Sequence, residues 1–133
     1  MLDLTLESDQ SVLLELIAIH KPFLVWLAPG TASLTKNIPI FDSNGRQFSH
    51  PLRSAEFPDG IPGLRGVDLD RILASNTLYE LCEKICALCD LLNLRWIVEN
   101  PFDSLIWFTS FLRDRYSAHE KVFLQSCMTP IQL

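Results

Sequence analysis

At 133 residues with a formal net charge of −5, the chain is the size of one domain, and that acidic balance excludes a strongly basic tail for gripping a polyanion. Its 48% hydrophobic and 20% charged residues are enough for a buried core and argue against intrinsic disorder. No uninterrupted apolar run approaches the ~20 residues of a membrane span. The start, MLDLTLESDQ, carries acids where a secretion signal has Lys or Arg. The four Cys are therefore expected as reduced thiols of an intracellular chain, cytoplasmic or nuclear, with no membrane partner.

In chain order, Leu2–Leu6 alternates apolar and polar residues and predicts a short strand. Ser8 or Asp9 is placed to cap a helix in which Val12, Leu13, Leu16, Ile17 and Ile19 follow at helical spacing, ending before Pro22. Phe23–Ala28 is an unbroken apolar run bounded by Pro22 and Pro29-Gly30, the pattern of a parallel strand buried on both faces. Residues 29–67 hold all five Gly and five of the eight Pro and show no period, which predicts one long loop.

Asp68 is expected to cap the next helix, Leu69 to Leu92, with Ile72, Leu78, Leu81, Ile85, Leu88 and Leu92 as its apolar stripe and Asn93 at the left-handed C-terminal position. Leu94–Val98 reads as a second buried strand, Phe102–Tyr116 as a helix with Leu105, Phe108, Phe111 and Leu112 on one face, and Val122–Leu124 as a last strand. Helices alternating with buried strands predict an α/β sheet with right-handed crossovers, whose ligands sit at the carboxyl ends of the strands.

Two segments fall at such ends. Glu99-Asn100-Pro101 puts a carboxylate and an amide where they can hydrogen-bond a heteroaromatic ring and favour its protonation; the same tripeptide also suits a strand-ending turn whose Asn satisfies local backbone groups. Gly30-Thr31-Ala32-Ser33 can offer N–H groups and hydroxyls to an anion, or be a simple turn, and it matches neither a P-loop nor a dinucleotide fingerprint.

Cys82, Cys86 and Cys89 have an iron–sulfur spacing. Inside a helix, however, the first and third lie ~10 Å apart along the axis, so packing in the core is the expected role. His20, His50 and His119 have no partner at metal-ligand spacing, so no metal site is expected. No serine-nucleophile elbow is present. Trp107 and Phe108 are expected in the core.

The order strand, Ala-Pro-Gly-Thr-Ala-Ser, a loop containing PLRSAEFPDGIPGL, helix, then Glu-Asn-Pro-x-x-Ser-x-x-Trp resembles the methyltransferase-like domains of tyrosine-recombinase retroelements and their genomic relatives, themselves similar to C5-cytosine DNA methyltransferases. The likeness runs from about Leu2 to Met128. It implies a partial Rossmann-like methyltransferase sheet, mostly parallel and of about four strands, with flanking helices and the long Pro/Gly loop. It implies DNA as partner and S-adenosylmethionine as cofactor. Glu99, with Asn100 and Pro101 beside it, takes the place of the acid that stabilises the protonated base. Gly30, Thr31, Ser33 and Arg53 take substrate-binding places.

The family's attacking Cys does not carry over, because Ala28-Pro29-Gly30 contains none, and the family's Ser-Arg-Ala-Arg is here Ser33-Leu34-Thr35-Lys36. By the resemblance the chain begins at the third strand of the sheet, without the glycine-rich turn and the acidic strand end that hold the cofactor, so none is expected to be bound. The expectation is a degenerate fragment, inactive alone. The alternatives are half of a split methyltransferase completed by a second chain, or a non-catalytic binding module.

Overall fold

The computed structural model describes residues 1–30, 44–45 and 51–119. Helix α1 spans Glu7–His20, strand β1 Leu24–Leu27, helix α2 Gly66–Leu91, strand β2 Arg95–Val98, a 3-10 helix Leu105–Phe108 and helix α3 Arg113–Ala118.

The segment Leu2–Leu6 is a turn, not a strand. The Asp3 carboxylate accepts from both the amide (3.0 Å) and the hydroxyl (2.7 Å) of Thr5, and the Leu6 amide donates to the Asp3 carbonyl at 2.9 Å. A short acidic side chain that bonds its own backbone overrides the alternation of its neighbours. Helix α1 starts at Glu7 and has no side-chain cap, because the residue at the capping position is Leu6, which carries no acceptor; Ser8 and Asp9 fall inside the first turn, where Asp9 accepts from the Asp3 amide at 2.6 Å. Glu7 and Asp9 still favour the positive end of the helix. Lys21 in the left-handed region (φ 44°) closes the helix, and Pro22 prevents its extension.

Helix α2 begins three residues before the expected position, with Arg65 rather than Asp68 as its flanking residue. It ends at Leu91, one residue before the expected Leu92. Asn93 is left-handed at φ 55°, and the Leu94 amide reaches back to the Cys89 carbonyl at 2.8 Å, a bond that also aims the chain into β2.

The two strands pair in parallel, with Leu24 opposite Arg95, Val25 opposite Trp96, Trp26 opposite Ile97 and Leu27 opposite Val98. The described residues therefore form a two-stranded sheet within a mixed α/β chain, not a Rossmann-like sheet of four strands. The expected strand Val122–Leu124 lies outside the described residues. Nor are the strands buried on both faces. Each alternates exposed and half-buried residues, because α1 and α2 cover one face only. On that face Ile17, Leu81, Ile85 and Cys89 pack against Val25, Leu27, Leu94 and Trp96.

A second cluster, Tyr79, Cys82, Leu105, Ile106 and Leu112, joins α2 to the segment after β2. The expected continuous helix Phe102–Tyr116 is broken there. Ser104 caps a single 3-10 turn by accepting from the Ile106 amide, and Thr109 turns its hydroxyl back to the Ile106 carbonyl at 2.7 Å. Phe108 consequently points outward, while Leu105 and Leu112 are buried. Among the described residues no helix is long and apolar enough to cross a membrane.

Candidate functional site

The carboxyl ends of the parallel strands bring residues 29–30 and 99–100 together. The ladder extends one step past β2, where the Glu99 amide donates to the Leu27 carbonyl at 2.8 Å. Period-two alternation then sends the Glu99 side chain to the face that no described helix covers, beside Trp26, and Asn100 to the face under α1 and α2. The Trp26 indole N–H donates to Glu99 Oε2 at 2.9 Å, leaving the other oxygen of an exposed carboxylate available.

Asn100 donates through Nδ2 to the Pro29 carbonyl at 2.9 Å, and the Tyr79 hydroxyl donates to the Gly30 carbonyl at 3.1 Å. Both carbonyls of the turn after β1 are thus fixed, one from β2 and one from α2. Asn100 Oδ1 is buried and has no hydrogen-bond partner, an acceptor without a donor in the half of the amide that faces away from Pro29. Pro101 uses its carbonyl to receive the Trp107 indole N–H at 2.9 Å and the Ser104 amide at 3.0 Å, which sets the start of the 3-10 turn. The tripeptide 99–101 therefore divides its roles. Asn100 and Pro101 hold the backbone, and Glu99 is the residue of the three that presents a charged group to solvent.

The other expected substrate-binding positions fare differently. Thr31 and Ser33 lie outside the described residues, as does His50. Gly30 belongs to the site through its pinned carbonyl. Arg53 does not present its charge to a ligand at the surface. It is 2% exposed, with its guanidinium donating to the Pro58 carbonyl and to Asn76 Oδ1, each at 2.7 Å, and lying over the Tyr79 ring at 5.1 Å. Burial lowers its pKa, opposed by the nearby Tyr79 and Asp59. Arg53 fastens the loop 51–65 to α2, and Asn76 completes the clamp by donating to the Asp59 carbonyl at 2.9 Å.

Sequence reasoning passed over Trp26, Tyr79 and Asn76. Trp26 offered one signal, since an indole N–H in a strand read as buried needs a polar partner. Tyr79 and Asn76 gave no signal beyond their helix positions.

Cys82, Cys86 and Cys89 are buried free thiols in the core face of α2. Burial pushes Cys82 up to about 11 and Cys86 up to about 12, and it raises Cys89 as well. None supplies a thiolate near Pro29-Gly30. Among the described residues no group of three or more His, Cys, Asp or Glu could hold a metal ion.

The S-adenosylmethionine that the resemblance implies needs a glycine-rich turn running from a strand into a helix N-terminus. Among the described residues neither strand end is built so: β1 runs into Pro29-Gly30 and β2 into Asn100-Pro101 and a 3-10 turn. The described residues do not fit that cofactor. No protein-family model, curated protein or solved structure matches the chain.

Proposed function

We propose that the chain is a degenerate, non-catalytic member of the C5-cytosine methyltransferase-like group, an intracellular module that keeps the acid for a pyrimidine base but not the chemistry that modified it. The observation that supports this reading is the juxtaposition of an exposed Glu99 carboxylate, oriented by the Trp26 indole, with a turn at 29–30 that carries no nucleophile. A carboxylate in that position accepts a hydrogen bond from the amino group or the protonated ring nitrogen of cytosine, and the adjacent indole offers an apolar face. Attack on the ring needs a thiolate beside the base, and the three described thiols are buried elsewhere with raised pKa values.

The test has two arms. Incubation with labelled S-adenosylmethionine and DNA is expected to give no transfer. Titration with a cytosine-containing single-stranded oligonucleotide, followed by tryptophan fluorescence, is expected to show binding that Glu99→Gln weakens about tenfold, in line with the loss of one charge-assisted hydrogen bond. Transfer above background that disappears in Glu99→Gln, or oligonucleotide binding indifferent to that substitution, overturns the reading.

A further inference from the structure

The face of the sheet turned away from α1 and α2 carries Leu24 and Trp26 from β1 and Ile97 from β2, with Phe23 just before β1. They are 37%, 55%, 41% and 77% exposed. On this face β2 reads Arg95, Ile97, Glu99, which is cation, apolar, anion at period two, with both charged residues exposed. The Arg95 guanidinium lies over the Phe23 ring at 4.5 Å and so extends the apolar surface at one end, while Glu99 borders Trp26 at the other.

This order of charges is complementary to its own reverse. We infer that the open sheet face pairs with the same face of a second copy of this chain about a two-fold axis through Ile97. Turning one copy around that axis sets each Arg95 opposite Glu99 of the other copy, twice over. Because Trp26 and Ile97 share one register level, it also sets each of these apolar residues opposite its own counterpart. The interface is isologous, with two symmetric ion pairs flanking an apolar centre. Glu99 serves either the second copy or a base at any moment, so self-association is measured without oligonucleotide and stands or falls apart from the base-binding reading.

Sedimentation velocity of the full chain at micromolar concentrations is expected to show a dimer. Arg95→Glu alone and Glu99→Arg alone each place like charges opposite one another and are expected to be monomers, with dissociation constants raised about a hundredfold. An equimolar mixture of these two variants restores opposite charges at both positions and is expected to dimerise again. Both side chains are exposed, and an unchanged far-UV circular dichroism spectrum verifies folding of each variant. A monomeric wild-type chain, dimers of either single variant, or a mixture of folded variants that stays monomeric overturns the inference.

Discussion

Asn100 donates its side-chain amide to the backbone carbonyl of Pro29, a residue 71 positions earlier in the chain, at 2.9 Å. This bond and the one from Tyr79 to Gly30 turn the exit of β1 into a fixed edge beside Glu99. The amide's oxygen has no donor, so its orientation rests on the Pro29 contact alone.

The loop 51–65 depends on the Arg53 clamp. Asn76→Ala removes an acceptor from a buried guanidinium and a donor from the Asp59 carbonyl, and it is expected to destabilise the fold by about 2–4 kcal/mol. Urea denaturation measures the loss. A change within experimental error of zero would show that the clamp does not hold the loop.

Gly60 has φ +134°, and a Cβ there would lie 2.8 Å from Ile72 Cγ2. Gly60→Ala is therefore expected to lower stability by about 1–3 kcal/mol through backbone strain and overpacking. Thermal unfolding, followed beside Gly63→Ala, separates the two causes. Gly63 is also left-handed at φ +86° but has open space around its Cβ site, so its substitution is expected to cost less.

Asp90 receives the Trp96 indole N–H at 2.7 Å and the Arg115 guanidinium at 2.5 Å, and the Trp96 bond is the main reason its carboxyl titrates below the usual aspartate range. A carboxyl whose pKa is lowered on folding stabilises the native state above its unfolded value, near pH 4, and that contribution is lost as pH falls toward the folded value. Trp96→Phe keeps the ring under Arg115 and removes the donor. Carboxyl-carbon NMR is expected to show the Asp90 titration moving to higher pH. An unmoved titration would reassign the shift to Arg115.

In a Cys127→Ser background, Cys82, Cys86 and Cys89 are expected to resist an aromatic disulfide reagent at neutral pH and to react fully once urea unfolds the chain, since burial both covers them and raises their pKa values. Modification faster than global unfolding would place one of these thiols in an accessible environment.

Much of the local structure was legible in the sequence. The proline-bounded run at 23–28 and the segment 94–98 contain β1 and β2, Pro22 marks the end of α1, and Asn93 adopts the expected left-handed turn. Two of the misreadings share one cause, which is that side-chain bonds to nearby backbone leave no trace in an apolar period. Asp3 turns Leu2–Leu6 away from a strand, and Ser104 and Thr109 divide the expected helix after β2. The uncovered sheet face was equally hidden, because an apolar run reads the same whether one face or two are covered.

At the candidate site, the closeness of residues 29–30 and 99–100 followed from two strands running in one direction. The division of roles between Glu99 and Asn100 did not, because it depends on which neighbour each alternating side chain meets.

The ladder bond from the Glu99 amide to Leu27 is made by the main chain and is indifferent to what the residue carries beyond its Cβ. Position 99 therefore works as an interchangeable fitting on a rigid mount. Its chemistry can be rewritten, from acid to amide to base, while the architecture beneath it stays in place, and any change in behaviour on such rewriting reports on recognition rather than on collapse of the scaffold.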